Sequence, residues 1–336
     1  MNRSLGIYNL IDKDKINESI KRVIDSGVDF NTYISPKGLK ELRIKIADFL
    51  CNIWNHKVNN SDILITSGSQ QSINLLAYSL LDDGDTVFIE QPTYFGAIDV
   101  FKKRNINLIG INLTGDGFDL KNLEEKIKQY LPKMIYVTPT FNNPTGYAWS
   151  SKKRKEFLKL INKYSIIVIE DDPYGYINFT NYKYQPLYKL NNGKNIIYLG
   201  TFSKLISPSI NVGYIICESK FMNTIYTYKK SFDLCTSAFF QYIILDYLTN
   251  YNVIELIRLK IPKYKDLLNK SITNIKNTYG KEITNFTKSK GGLFYVVKFN
   301  HEIDEKIYEN LNNYYLEDGH EFEVRINICS FDEIDN

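Results

Sequence analysis

The 336-residue sequence predicts an α/β fold, a mostly parallel central sheet with helices on both faces, followed by a small α+β unit. Two observations carry this. From about residue 60 to 217, short β-branched runs alternate with turn clusters and helical stretches, the pattern of parallel βαβ units. Those runs are also nearly all apolar, as strands buried on both faces must be.

In chain order the expected strands are Ile63–Ile65, Thr86–Ile89, Met134–Val137, Ile166–Ile169 and Ile196–Leu199. A sixth run, Val212–Cys217, follows the fifth too closely for a crossover helix and is therefore expected to be antiparallel. Between them, Gln70–Leu81 and Lys153–Tyr164 place apolar residues at i, i+3 and i+4, which predicts amphipathic helices. Residues 220–280 read as helical with few breaks. Gly291–Val297 and Val324–Ile328 read as strands of the second unit. The expected division is an N-terminal segment (1–40), a large domain (41–245) and a small domain (246–336).

Composition excludes several classes. Hydrophobic residues make up 43% and charged residues 24%, unlike a disordered, collagen-like or coiled-coil chain. Lys and Arg number 42 against 38 Asp and Glu, a net +4 spread along the chain, so nucleic acid is not an expected partner. No run approaches the ~18 apolar residues of a membrane helix, and the first residues lack a secretory pattern. Cys51, Cys217, Cys235 and Cys329 fall at no metal or redox spacing, which fits a reducing cytoplasm and predicts no metal site.

Ligands of an open parallel sheet bind beyond the carboxyl ends of its strands, where loops converge. Five polar clusters sit at five consecutive strand ends: Ser67–Gln71, Glu90–Tyr94, Thr138–Gly146, Glu170–Tyr174 and Thr201–Lys204. Gly68, Ser69 and Gln70 open a helix, where free N–H groups suit a phosphate, although a plain helix cap reads equally well from this segment. Dinucleotide and P-loop fingerprints are absent from the sequence. Lys204 follows a buried strand among small hydroxyl residues, and an amine held there can form a Schiff base with a carbonyl compound; on this segment alone, a turn lysine is the commoner reading. Asp171 ends an Ile-rich strand where an unpaired charge is costly, so it requires a cation such as a protonated ring nitrogen.

On these residues the sequence resembles the fold-type I pyridoxal 5′-phosphate enzymes. Within them it is most similar to class I/II aminotransferases and the aminotransferase-like domains of MocR-type regulators. The resemblance runs from Tyr33 to Phe331 and rests on ordered motifs. These are Y-x-x-P-x-G at Tyr33–Gly38, S-G-S-Q-Q at 67–71, E-x-P-x-Y at Glu90–Tyr94, N-N-P-T-G at 142–146, E-D-D-P-Y at 170–174 and T-F-S-K at 201–204.

The resemblance implies roles. Lys204 binds the cofactor's aldehyde through its amine and moves the α-proton; Asp171 pairs with the ring nitrogen; Asn143 and Tyr174 hydrogen-bond the ring's phenolic oxygen; Tyr94 stacks on the ring. Backbone amides at Ser69 and Gln70, beside Gly68, cup the phosphate with the Thr201 and Ser203 hydroxyls. Arg325 grips the substrate α-carboxylate, with Asn143 beside it. Tyr33 reaches the phosphate of a partner subunit, which implies a homodimer. The expected reaction is transfer of an α-amino group from an amino acid to a 2-oxo acid. Alternatives are a lyase, cyclase or oxidase on the same cofactor in a specialised biosynthetic pathway, or a non-catalytic binder.

Three features depart from the family pattern. Seven residues after Lys204, where the family carries a phosphate-neutralising arginine, this sequence has Asn211. The segment before Tyr33 is short, and the stretch between Gly292 and Arg325 lacks the usual G-V-x-V-x-P-G loop. No DNA-binding domain precedes the core, so a DNA-binding regulator is not expected. Weaker retention of the cofactor is the direct expectation from Asn211, unless a cation from elsewhere compensates.

Overall fold

The computed structural model describes residues 12–303 and 322–331. Its large sheet has eight strands: β1 (Ile63–Thr66), β2 (Thr86–Gln91), β3 (Asn107–Thr114), β4 (Gly117–Phe118), β5 (Met134–Val137), β6 (Ile167–Asp171), β7 (Ile196–Thr201) and β8 (Gly213–Ile216). The spatial order is β1-β8-β7-β6-β5-β2-β3-β4. The strand β8 pairs antiparallel with both β1 and β7, as its short connection requires. β4 is antiparallel to β3, while β3, β2, β5, β6 and β7 run parallel.

Every residue of β1, β5, β7 and β8 is buried, because helices cover both faces. Alternate residues point to opposite layers. Ile63 and Ile65 join the cluster beneath α2 (Lys40–Trp54), α5 (Leu120–Tyr130), α6 (Ser151–Tyr164), α7 (Leu187–Leu190) and α9 (Ala238–Asn250), with α1 (Lys13–Asp25) packed at its margin. Leu64 joins the cluster beneath α3 (Gly68–Leu80), α4 (Phe95–Lys103) and α8 (Ser219–Asp233).

A second, antiparallel sheet has the order β11-β10-β9, formed by β9 (Ile283–Phe286), β10 (Phe294–Phe299) and β11 (Glu323–Asn327). It packs on α10 (Val253–Tyr279) through Tyr264, Leu267 and Ile275, and against Phe141, Tyr174 and Ile177 from loops of the large sheet. That packing brings Arg325 on β11 to the strand ends of the large sheet.

The structure departs from the expected elements in several places. The strand β3 lies outside the expected set, since it is partly exposed and Asn107 and Asn112 interrupt its apolar run. Helices α4 and α5 lie outside it too; α5 buries only Leu123 and Ile127. Residues 220–280 form three helices, broken at 234–237, where Leu234 has φ +60°, and at 251–252. Gly291 and Gly292 precede β10, which starts at Phe294; Gly292 has φ +74° and belongs to a turn. The shortened stretch before Arg325 falls largely within 304–321, outside the described residues.

Candidate active site

The five polar clusters converge. Ser69, Gln70, Tyr94, Asn143, Asp171, Tyr174, Thr201, Ser203 and Lys204 line one cavity of about 260 Å³ at the strand ends, and Phe294 and Arg325 from the small sheet also line it. The sheet geometry explains the convergence, since β1, β7, β6, β5 and β2 all end on this side.

Asp171 closes β6 and is 3% exposed. Its Oδ2 accepts the Tyr136 hydroxyl at 2.7 Å, and its Oδ1 is buried with no hydrogen-bond partner among the described residues. Burial pushes the carboxyl up to about 7, against the Tyr136 hydrogen bond and with help from the neighbouring Asp172 charge. Asp172 Oδ2 instead accepts from Tyr198 at 2.9 Å. A buried carboxylate with one oxygen unused is the complement of a cation.

Lys204 lies just beyond β7, half-buried, with no hydrogen bond or ion pair among the described residues. Burial lowers its pKa against an opposing pull from Cys329, and the Arg325 charge adds to the lowering. Both effects enlarge the neutral fraction, which is the nucleophilic form of an amine.

At the start of α3, Gly68 adopts φ +77°. That positive φ favours glycine, and a Cβ there would lie 2.2 Å from Asn211 Oδ1, so Asn211 rests directly on the helix start. The N–H groups of Gly68, Ser69 and Gln70 find no protein acceptor among the described residues, as first-turn amides do. Opposite them the Thr201 and Ser203 hydroxyls bond each other at 3.1 Å, and Ser203 N–H donates to Thr201 Oγ1 at 3.1 Å. Gln70 also fixes Tyr94: its Oε1 accepts the Tyr94 hydroxyl at 3.1 Å while its Nε2 donates to the Gly96 carbonyl at 2.9 Å.

On the far wall burial raises the pKa of the Tyr174 hydroxyl, and the neighbouring Asn143 side chain opposes that rise. Arg325 Nη1 donates to Asn143 Oδ1 at 3.4 Å, and its guanidinium carbon lies 4.5 Å from the centre of the Phe294 ring. Phe294 meets Tyr174 edge-on at 5.7 Å. The loop that carries Asn143 is held from below by Glu90. Its Oε2 accepts from Thr138 N–H and Asn142 Nδ2 at 2.8 Å each, and its Oε1 accepts from Trp149 Nε1 at 3.1 Å.

Tyr33 stands apart. It is 86% exposed and does not line the cavity of the single chain. Sequence reasoning missed Tyr136, Glu90 and Phe294. The first reads as one more core residue in M-I-Y-V; the second sits inside a recognised motif but gives no sign of what it would hold. The third is an aromatic in an apolar strand, whose stacking on Arg325 depends on the pairing of β10 with β11.

The pattern of the family "Aminotransferase class I and II" matches residues 4–336. The chain belongs to this family. It is 31% identical over 280 residues to aromatic-amino-acid aminotransferase 1 of Thermococcus litoralis, covering 82% of this chain and 67% of the relative. Among solved structures, Pyrococcus horikoshii kynurenine aminotransferase, in complex with PMP, superimposes with a TM-score of 0.90 at 28% identity, covering 99% of this chain and 86% of that one. LysN, the α-aminoadipate aminotransferase of Thermus thermophilus, solved with N-(5′-phosphopyridoxyl)-L-leucine, gives 0.89 at 25% identity over 98% and 86%.

This aminotransferase uses pyridoxal 5′-phosphate to transfer amino groups between an amino acid and a 2-oxo acid. The residues present fit that cofactor. An unused carboxylate oxygen on Asp171 suits a protonated ring nitrogen, the unpaired amine of Lys204 suits an aldehyde, and three free amides at a helix start suit a phosphate. Among the described residues no helix is long and apolar enough to cross a membrane.

Proposed function

We propose that this aminotransferase takes its amino group from an amino acid with an aromatic or long apolar side chain and works as a homodimer. Pyridoxal phosphate supplies the electron sink that makes the substrate's α-proton acidic. Asp171 would keep the ring nitrogen charged. Asn143 and Tyr174 would hydrogen-bond the ring's phenolic oxygen, and Tyr94, pinned by Gln70, would cover the ring face. The amides of Gly68, Ser69 and Gln70 with the Thr201 and Ser203 hydroxyls would hold the phosphate. Lys204 Nζ, its pKa lowered by burial, takes the proton from the substrate's α-carbon.

Arg325 binds the substrate α-carboxylate, since a guanidinium grips a carboxylate with two parallel hydrogen bonds. In this reading the large domain (41–245) supplies the cofactor contacts and the small domain (246–336) supplies Arg325. The side-chain preference rests on one observation: among the described residues of the cavity wall, Lys204 and Arg325 are the only cations, while Tyr94, Phe95, Leu293 and Phe294 add apolar surface. A second carboxylate on the substrate would find no further countercharge there.

Tyr33 supports the dimer, because a ring 86% exposed on one chain is available to a second copy's site. The four free cysteines are consistent with a reducing compartment. The test is a panel of amino acids added to cofactor-loaded protein, with and without a 2-oxo acid. Phenylalanine, tyrosine or leucine should bleach the visible band and return it on addition of the oxo acid. Faster conversion of aspartate or glutamate would overturn the side-chain assignment. Ammonia released without an acceptor would instead make the protein a lyase or oxidase.

A further inference from the structure

We propose that Lys229, on α8, is a positioning residue for cofactor binding: it holds the first turn of α3, which cups the phosphate, in its working geometry. The inference rests on the proposed role of that turn and adds a residue that never reaches the cavity wall.

Lys229 is an anomaly where it stands. Its side chain is 0% exposed, and an ammonium is costly to bury unless every proton has an acceptor. All three do. Nζ donates to Gln71 Oε1 at 2.8 Å, to Asp233 Oδ2 at 2.7 Å and to Thr236 Oγ1 at 2.9 Å. A surface lysine would have served if the only aim were to pair Asp233.

The acceptors reveal what the amine organises. Gln71 Oε1 also accepts the Ser67 N–H at 2.8 Å, and Gln71 Nε2 donates to Asp233 Oδ2 at 2.7 Å. The Ser67 hydroxyl meets Thr236 Oγ1 at 3.2 Å. Ser67 is the residue immediately before α3, so Lys229 fixes the turn from which Ser69 and Gln70 go on to line the cavity. Consuming the Ser67 N–H inside the network leaves the Gly68, Ser69 and Gln70 amides for a ligand. The same network continues outward: Gln241 Nε2 donates to the Thr236 carbonyl at 2.7 Å, and Gln241 Oε1 accepts Leu39 N–H at 2.8 Å. Leu39 closes the segment that carries Tyr33.

This arrangement bears on Asn211. A neutral residue there leaves the phosphate held by amides and hydroxyls, whose aim then matters more than it would beside an arginine. An oriented amide array costs nothing to reorganise only if its frame is rigid. Lys229 supplies that frame from behind.

The test compares Lys229→Met, Lys229→Arg and Gln71→Leu with the wild-type protein. Each is freed of cofactor and titrated spectrophotometrically with pyridoxal 5′-phosphate and, separately, with pyridoxal, which lacks the phosphate. Lys229→Met should weaken pyridoxal phosphate binding about tenfold or more, as expected for a hydrogen bond made by a charged group, while pyridoxal binding changes little. Lys229→Arg should recover part of the loss. Because the lysine acts through Gln71, the double variant Lys229→Met/Gln71→Leu should lose no more than the worse single variant.

An equal loss for both ligands, or a lowered melting temperature with the affinity ratio unchanged, would make Lys229 a fold-holding residue and overturn the proposal. Additive losses in the double variant would remove Gln71 as the link. Failure of the wild-type protein itself to bind either aldehyde would strike the reading of the whole site instead.

Discussion

The Tyr136 hydroxyl and Asp171 Oδ2 lie 2.7 Å apart, joining two neighbouring parallel strands at the floor of the cavity. This one contact decides which oxygen of Asp171 is left without a partner among the described residues. Tyr136→Phe keeps the ring and deletes the hydrogen bond. The Asp171 carboxyl, already pushed up by burial, would rise further and hold a ring proton less firmly. A hydrogen bond to a charged group contributes about 1.5–3 kcal/mol, so kcat should fall about ten- to hundredfold. Steady-state rates with a saturating donor check this; an unchanged kcat would mean that Tyr136 is only core.

Asp171 should also leave a mark on the cofactor-free protein. Its carboxyl stands at about 7 when folded against an ordinary 3.8. A group that holds its proton more tightly in the folded state favours folding below its unfolded pKa, and that contribution disappears as pH rises through its folded pKa. Asp171→Asn stays neutral throughout. The variant should therefore match the wild type near pH 4, gain on it up to about pH 7 and then run parallel. Melting temperatures across this range, without cofactor, measure the gap. A gap that does not widen with pH would place the Asp171 carboxylate in contact with a cation even without cofactor.

Much of this site is legible in the sequence because strand-end residues of an open sheet must converge, and β1, β5, β6 and β7 announce themselves as unbroken apolar runs. Lys204, Asp171, Tyr174 and Asn143 follow from that rule and from their motifs. The strand β3 escapes it because half-exposed residues dilute its apolar pattern. Tyr136 escapes because a residue in a buried strand gives no sign of what its hydroxyl touches. The link from Lys229 to Gln71 spans 158 positions in the chain, and no local pattern encodes a contact of that range. Asn211 is legible as a missing charge, but its seat on Gly68 is not.

Lys204→Met separates function from stability. The substitution removes the amine proposed to bind the aldehyde, so the visible band and amino-group transfer should both be lost. It also removes a half-buried group whose charged form is penalised by its surroundings. The cofactor-free variant should therefore melt no lower than the wild type, and higher at neutral pH, as expected where an active site is held at the expense of the fold. Calorimetry of both proteins without cofactor tests this, and a lower melting temperature would contradict the account of the Lys204 environment.

Arg325 and Phe294 should divide binding from catalysis. Arg325→Lys keeps the charge but loses the two-pronged grip proposed for the guanidinium and its place 4.5 Å over the Phe294 ring. The KM for the amino acid should rise about ten- to hundredfold, in line with the strength of charge-assisted pairs. Phe294→Leu should raise KM as well, by up to about thirtyfold, since Arg325 and Phe294 are both buried and a desolvated cation–π contact is worth about 2 kcal/mol. If both variants lose kcat with KM unchanged, Arg325 does not bind the ground-state carboxylate.

Asn211→Arg restores the charge that the family pattern places beside the phosphate, and the structure sets its cost. Asn211 has φ +48°, a left-handed conformation that asparagine tolerates and arginine adopts at about 1–2 kcal/mol. Its side chain faces the cavity and rests on the start of α3, so a guanidinium there can reach what the amides bind. The variant should lose cofactor more slowly on dialysis than the wild type while its cofactor-free form melts a few degrees lower. The two effects have separate causes, charge and backbone strain, so they should separate experimentally. Raising salt should erode the first, because screening weakens a charge pair, and leave the second in place. Cofactor retention that stays the same or falls at low salt would show that the Lys229-braced amides and hydroxyls already hold the phosphate as tightly as an arginine could.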